Sequence, residues 1–156
     1  MKMELVDKKE PVLRAQTAKI SAFDKKLSVL VGDLFTTLEG MEGVGLAAPQ
    51  VGKSVSLAVI EYTRGKEDDP QEVKDIPKTV LVNPKITWRS KEIEVQKEAC
   101  FSLPGVEIDV ARPKKIHLVF QDESGKREKI KAKGFFARAI QHEVDHLNGI
   151  LIIDYK

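Results

Sequence analysis

Two histidines and a glutamate near residue 145 have the types and spacing that metal-dependent hydrolysis needs. The segment IQHEVDHLNG, residues 140–149, places His142 and His146 four residues apart. On a helix these two side chains lie on one face, about one turn apart, as two ligands of one ion must. Glu143 is offset by one position, where it can take a proton from a water molecule without binding the ion. The apolar residues of this segment argue against the alternative, a solvated helix end.

The third ligand has to come from elsewhere in the chain. One metalloprotease class would place it at position 152, which is Ile152, and another uses a glutamate that would lie beyond residue 156. The upstream candidates are carboxylates, His117 in KIHLVFQ and Cys100 in KEACFSLPGV. A lone cysteine is more often a small core residue, but Cys100 is the leading choice beside an incomplete His-Glu-His helix. A Cys/His/His set suits iron(II), zinc, cobalt or nickel.

Composition and charge predict a soluble, cytoplasmic globular protein. The chain has 156 residues, 42% hydrophobic and 32% charged, with a net charge of +2. This balance argues against a dedicated nucleic-acid or membrane-surface binder. The start of the chain, MKMELVDKKE, lacks the apolar segment of a signal peptide, and we see no apolar run long enough to span a membrane. One cysteine excludes an internal disulfide and suits a reducing compartment.

The elements that must position these residues predict an α+β fold. Apolar residues at three- and four-residue spacing predict an amphipathic N-terminal helix over 25–41, with Ser21 or Asp24 as its N-cap. A second helix is expected over 134–148, ended by Gly149. We expect antiparallel strands to pack around this central C-terminal helix. The strands are expected over 55–62, 78–90, 91–99 and 150–154. Residues 113–133 are expected to form a hairpin that turns at Glu123–Lys126.

The remaining segments are predicted to be irregular. Residues 1–20 should form an arm, and the polar stretch 63–77 an exposed loop. The motif GVGLAAPQVG is predicted as a glycine-rich turn, and a turn is also expected at Pro104–Gly105. One domain over 1–156 is expected, without an extended C-terminal tail.

Three segments resemble the signature motifs of the peptide deformylases. GVGLAAPQ (43–50) resembles the first motif, EACFS (98–102) the second, usually written E-G-C-L-S, and QHEVDH (141–146) the third. Their order and spacing also agree, and the resemblance extends from about Pro11 to Asp154. Three motifs together are far more specific than H-E-x-x-H alone.

The resemblance implies an enzyme that removes the formyl group from the N-terminal formyl-methionine of nascent peptides and releases formate. Its substrates would be N-formylmethionyl peptides, which it would bind during transient contact with the ribosome. It implies one divalent ion, iron(II) in many members, with zinc, nickel or cobalt as alternatives. The implied ligands are Cys100, His142 and His146, with Glu143 as the general base that then protonates the leaving amine.

The resemblance also implies an oxyanion site and a methionine pocket. The side-chain amide of Gln50 and the backbone N–H of Phe101 would stabilise the oxyanion, and Gly43 and Gly45 would leave room for its approach. Without the resemblance, the glycines indicate only a tight turn. The apolar pocket would be lined by Val44, Glu98, Phe135, Arg138 and His142.

Two positions depart from the family pattern beside the metal cysteine. Ala99 replaces the usual glycine at the peptide-binding edge, and Phe101 replaces leucine. We expect Ala99 to have negative φ in an extended strand. Arg112 matches a recurrent family position and should bond near the second motif, with a surface salt bridge as the alternative.

Two other functions compete with deformylation. A metalloprotease that cuts internal peptide bonds would need the missing downstream ligand. A catalytically weak, deformylase-like module that only binds a metal and a peptide end is supported by Ala99 alone. The sequence leaves open the resident metal, the oligomeric state and the biological source.

Overall fold

The computed structural model describes residues 1–41, 43–63 and 75–156. Within these residues the chain forms helices and strands in the order α1 (Lys25–Glu39), β1 (Gly45–Ala47), β2 (Leu57–Tyr62), β3 (Ile76–Arg89), β4 (Ile93–Cys100), β5 (Leu103–Pro113), β6 (Lys115–Gln121), β7 (Arg127–Lys133) and α2 (Gly134–Leu147). Short 3-10 helices lie at Pro11–Arg14, Ala48–Val51 and Ile152–Tyr155. Among the described helices, none is long and apolar enough to cross a membrane.

The strands form two antiparallel sheets. The larger has the order β1-β2-β3-β6-β7, and β4 pairs with β5 in a separate hairpin. The β6–β7 hairpin turns where the Asp122 carboxylate accepts hydrogen bonds from the backbone N–H groups of Ser124 and Lys126, at 2.8 and 3.0 Å. A short polar side chain that bonds to its own turn is typical of such connections, so the predicted hairpin is confirmed.

The two helices pack on opposite faces of the larger sheet. The carboxylate of Asp24 accepts a hydrogen bond from the backbone N–H of Leu27 at 3.1 Å, which confirms Asp24 as the N-cap of α1. The side chains of β2 alternate between the helices: Val59 packs in the cluster of α1, and Ile60 in the cluster of α2. A strand buried on both faces presents every second residue to each side.

The structure corrects the prediction of a turn at Pro104–Gly105. The chain turns at Phe101 and Ser102 instead, and β5 starts at Leu103. The Pro–Gly pair instead accompanies an irregularity in the hairpin, because the pairing shifts register between Ala99 and Cys100 and Gly105 has φ of 77°. A bulge of this kind bends a strand without ending it.

Two further predictions are corrected. The strand expected over 150–154 is wrong, because a 3-10 helix forms at Ile152–Tyr155 and the Asp154 carboxylate accepts a hydrogen bond from the N–H of Leu151 at 3.0 Å. The motif GVGLAAPQVG is not only a turn, since it holds β1 and a 3-10 helix. Of the loop predicted over 63–77, residues 64–74 lie outside the described residues, and β3 already begins at Ile76.

Candidate active site

Cys100, His142 and His146 come together where β4 ends beside α2. Their ligand atoms all lie within 4.8 Å of one another. Cys100 Sγ and His142 Nε2 each lie near His146 Nε2, at 3.3 Å in both cases. A thiolate and two imidazoles at this spacing suit one ion in tetrahedral geometry with one position left open. The residues therefore fit a single divalent metal ion.

His117 takes no part in this cluster. It lies on β6, where its ring contacts that of Trp88 with centroids 4.6 Å apart. Of His117 and Cys100, only Cys100 lies beside the histidine pair.

Glu98 orients the first histidine. His142 Nδ1 donates to Glu98 Oε1 at 2.9 Å, which directs Nε2 of the ring toward the cluster. A carboxylate behind a histidine ligand fixes the ring and its tautomer. Glu98 is itself held by Arg112, whose Nε and Nη2 donate at 2.6 and 2.8 Å, and by Arg138. Burial alone would raise the pKa of Glu98, but the hydrogen bonds from Arg112 and His142 outweigh it and lower the pKa to about 2.

Arg112 is the centre of a buried charge network rather than a surface salt bridge. Its side chain is 3% exposed. Besides Glu98, it donates to Asp145 Oδ2 at 2.8 Å, and Tyr155 O–H donates to the same oxygen at 2.6 Å. The network therefore ties the β4–β5 hairpin, α2 and the last turn of the chain together. The expectation that Arg112 bonds near the second motif is confirmed.

Arg138 reinforces the same junction. It donates to the backbone oxygens of Val110 at 3.0 Å and Glu94 at 2.6 Å, as well as to Glu98. Glu98 and Arg138, both expected in the pocket wall, form an ion pair with each other. The guanidinium is therefore occupied by the hairpin, and its flank lines the cavity described below.

Glu143 is buried beside the cluster with an unusual proton affinity. Burial is the main cause that raises the pKa of its carboxyl to about 7. Among the described residues, Glu143 Oε1 has no hydrogen-bond partner. A Cβ atom at position 45 would lie 2.6 Å from Oε2, so glycine at that position makes space for the carboxyl group. Gly45 thus accommodates a side chain of the protein itself, a role that the sequence did not suggest.

The two histidines differ in proton affinity. Burial, followed by the neighbouring His142, lowers the pKa of His146 to about 3, so its ring is neutral at pH 7 and has a free lone pair. Burial would also lower the pKa of His142, but Cys100, Glu98 and Glu143 outweigh it and raise the pKa to about 10. The surroundings of His142 are therefore anionic, as a cation site requires.

Gln50 points its amide toward the same place. Its Oε1 accepts a hydrogen bond from the backbone N–H of Ala47 at 2.9 Å. This contact orients Nε2, which donates to Ser102 Oγ at 3.1 Å and lies 3.7 Å from Cys100 Sγ. A buried amide anchored at one end has a defined donor direction.

Gly43 lies directly beneath the ring of Phe101. A Cβ atom at position 43 would overlap that ring, so only glycine lets the first motif lie against the second. Ala99 has a φ outside the positive range, because Asn83 is the one described non-glycine residue with positive φ. It pairs with Glu107 within the hairpin. The expectation of an extended Ala99 is confirmed.

A cavity of about 530 Å³ opens onto this cluster. Twelve of the thirteen sequence-predicted site residues line it: Gly43, Val44, Gly45, Gln50, Glu98, Ala99, Cys100, Phe101, Phe135, Arg138, His142 and Glu143. The thirteenth, His146, lies behind them and is buried. The cavity volume falls within the range of small-molecule and peptide-end sites.

Sequence reasoning missed several residues of this region. Lys97, Pro104 and Ala139 also line the cavity. Ser102 was part of the second motif but had no assigned role, although its hydroxyl accepts a hydrogen bond from the Gln50 amide. The position of Ser102 inside a motif was the signal that could have indicated its role. The position of Lys97 in the cavity wall depends on how the hairpin lies against α2.

Comparison with known proteins gives one consistent result. The family model described as polypeptide deformylase matches residues 2–156. A peptide deformylase from Dictyoglomus thermophilum is 43% identical over 145 residues, which is 93% of this chain and 86% of that protein. The crystal structure of a peptide deformylase from Thermotoga maritima is 33% identical with a TM-score of 0.89, covering 99% of this chain and 97% of that one. A peptide deformylase from Synechococcus elongatus in complex with actinonin has 37% identity and a TM-score of 0.87, covering 98% and 78%.

Proposed function

The chain belongs to the polypeptide deformylase family, and we propose that the cavity beside Cys100, His142 and His146 is where its reaction takes place. The protein is a metal-dependent hydrolase that removes the N-formyl group from nascent peptides. One observation carries the assignment of the site: three sequence-distant motifs place a ligand set, a buried carboxyl and an anchored amide around one cavity. We infer that the strands around the C-terminal helix, with α1 behind them, hold this arrangement as one domain over 1–156.

Cys100, His142 and His146 hold the metal ion in this proposal. Such an ion supplies Lewis acidity, which lowers the pKa of a water molecule and polarises a carbonyl oxygen. The protein supplies the orientation: Glu98 fixes His142, while the burial of His146 keeps it neutral and able to donate a lone pair.

Glu143 moves the protons. It accepts one proton from the attacking water as the water oxygen forms a bond to the formyl carbon. It then delivers that proton to the peptide nitrogen as the carbon–nitrogen bond breaks, leaving formate and a free amine. A carboxyl with a pKa of about 7 before a cation binds is suited to both steps, because it is neither a strong acid nor fixed by a hydrogen bond at Oε1.

Gln50 and the backbone N–H of Phe101 stabilise the negative charge that develops on the formyl oxygen. The Ala47 contact holds the Gln50 amide in place before the reaction, so little reorganisation is needed at the transition state. The Ser102 hydroxyl accepts from the same amide at rest and would give way to the substrate oxygen.

The methionine side chain enters the cavity along an apolar wall. Val44 and Phe135 supply apolar surface, and Arg138 contributes its aliphatic stem because its guanidinium is engaged with Glu98. Ala99, at the edge of the cavity, lies in the strand that would pair with the substrate backbone.

Iron(II) is the proposed resident metal, with zinc, nickel and cobalt as the alternatives that a Cys/His/His set accepts. A thiolate on iron(II) invites oxidation of metal and sulfur in air. Activity of the iron form should therefore decay faster in air than that of the nickel form, and equal half-lives would contradict iron. We place the enzyme in the cytoplasm, in transient contact with ribosomes that present its substrate.

Formate release from a formyl-methionyl peptide tests the proposal directly. The protein is purified anaerobically, its metal content is measured, and each metal form is assayed. We expect formate in proportion to bound metal and no cleavage of an internal peptide bond. Cleavage of a blocked internal peptide instead would favour a metalloprotease, and metal-loaded protein without formate release would favour a binding module.

A further inference from the structure

The side of β6 and β7 that faces away from α2 carries a row of basic side chains. Cross-strand partners in an antiparallel pair share a face, and alternate pairs share the same face. The inward pairs, such as Leu118 with Ile130, pack in the cluster of α2. The outward pairs are Lys115 with Lys133, His117 with Lys131, Val119 with Lys129 and Gln121 with Arg127. We call these eight residues, together with Trp88 opposite His117 on β3, the lysine face.

The five cations of the lysine face are exposed, and the described residues offer none of them an ion pair. Some other exposed lysines have partners: Lys97 lies 3.6 Å from Asp109, and Lys126 lies 3.6 Å from Glu128. No carboxylate of the described residues lies within 4.0 Å of a lysine-face cation. The net charge of +2 therefore hides a local concentration of positive charge, which the sequence argument against nucleic acid did not consider.

An aromatic pair lies beside these cations. Trp88 is 45% exposed, and its ring lies 4.6 Å from that of His117 with a tilt of 36°. Next to the pair is a groove of about 390 Å³ whose walls include Thr87, Lys129 and Lys131. Exposed aromatic rings on a sheet, flanked by lysines, are how many proteins bind single-stranded nucleic acid: bases stack on the rings and phosphates contact the cations.

Protection of a sheet edge explains only part of this surface. Lysines on an edge strand discourage pairing with another chain, which accounts for charges on β7. Lys115 and His117 lie on β6, which has a strand on each side. The half-exposed Trp88 would add no protection. Within the described residues, α1 packs mainly on β1 and β2, and the five cations of the lysine face are exposed.

We propose that the lysine face binds single-stranded RNA. Unstacked bases are needed to reach Trp88 and His117, which disfavours a duplex. The face offers one large exposed apolar side chain, too little to insert into a membrane interface. The choice of RNA over DNA rests on the proposed function, since an enzyme of nascent peptides works where RNA is abundant.

Fluorescence anisotropy with a labelled, unstructured RNA of about 12 nucleotides tests the proposal. We expect saturable binding. The logarithm of the association constant should fall linearly with the logarithm of the salt concentration, at a slope of roughly −3.5 for five neutralised phosphates. Lys129→Glu combined with Lys131→Glu should weaken binding at least tenfold. Trp88→Ala should weaken binding roughly fivefold to 150-fold, as expected for the loss of a stacked base.

Matched controls separate this surface from general charge and from the active site. Lys25→Glu combined with Lys26→Glu changes the charge equally on exposed positions of α1 and should change binding less than twofold. Thermal unfolding is recorded for every variant, and formate release on the same preparations reports the active site independently. Equal loss in both double variants, or unchanged binding in the Lys129/Lys131 variant, would overturn the proposal. Equally tight binding of a single-stranded DNA oligomer of the same sequence, or stronger binding to vesicles of anionic phospholipid, would also overturn it.

Discussion

The proposed active site and the lysine face hold charge in opposite ways. In the site, the carboxylate of Glu98 is buried and receives hydrogen bonds from two arginines and a histidine. On the lysine face, five cations point into solvent with no carboxylate of the described chain within 4.0 Å. Buried ions must be paired, because desolvation is costly, whereas exposed ions keep their water and need no partner.

This difference predicts how each region responds to the loss of a charged side chain. Removal of one partner in the site leaves another charge buried and uncompensated, so stability or chemistry should fall sharply. Removal of a lysine-face cation leaves no buried charge without a partner. The fold should therefore tolerate the substitution, and only binding of an external partner should weaken. Substitutions in the two regions test this contrast.

Cys100→Ala should give the largest effect, with near-complete loss of both metal and activity. The variant leaves two ligands, and two-point sites rarely retain iron or zinc. His117→Ala is the matched control, because His117 lies on the lysine face away from the cluster. Metal analysis and formate release measure the outcome. Metal loss in the His117 variant instead would refute the ligand set.

Glu143→Gln should retain the metal but lower kcat/KM by about a thousandfold or more, a barrier increase of roughly 4 kcal/mol. Glutamine has a similar shape but does not accept the proton. The free energy of unfolding should not decrease, because a neutral amide replaces a carboxyl that burial already disfavours as an ion. Near-normal turnover in this variant would remove Glu143 from the role of base.

Arg112→Met should destabilise the protein by about 3–5 kcal/mol, since it strands Glu98 and Asp145 without their main partner. Denaturant unfolding measures the change. Lys97→Ala removes an exposed ion pair of the same hairpin, where both side chains are more than 60% exposed, and should cost under about 1 kcal/mol. Similar losses in the two variants would contradict the contrast between buried and exposed charge.

Ala99→Gly should change kcat/KM by less than about tenfold, equivalent to about 1.4 kcal/mol. Ala99 already has an extended backbone that glycine would not improve, and its methyl group only shapes the cavity edge. Steady-state kinetics on a formyl-methionyl peptide measure the ratio. A thousandfold gain would mean that the natural protein is a weak, binding-type relative.

Lys129→Ala and Lys131→Ala should each change the free energy of unfolding by less than about 0.5 kcal/mol. Both side chains are exposed and have no ion pair among the described residues to lose. Denaturant unfolding of the two variants checks this smallest effect. A loss above about 2 kcal/mol in either would show that the lysine face has a structural role.

Local patterns in the sequence predicted which possible metal ligands lie together. His142 and His146 are one helical turn apart, and helix geometry alone places them on one face. The sequence also predicted Asp24 as an N-cap and the turn before Lys126. Each depends on a side chain that hydrogen-bonds to the neighbouring backbone. The strand expected over 150–154 was wrong, since its apolar residues are buried in a 3-10 turn instead.

Contacts between distant segments were decided only by the tertiary structure. The sequence determined which residues could bind a metal, move a proton or carry charge, because residue type and local spacing set that chemistry. Whether Arg112 is buried, whether Gly45 must admit Glu143, and which side of β6 is left uncovered depend on how the hairpin and two helices pack. Such packing is the sum of many weak non-local contacts, and no single motif encodes it.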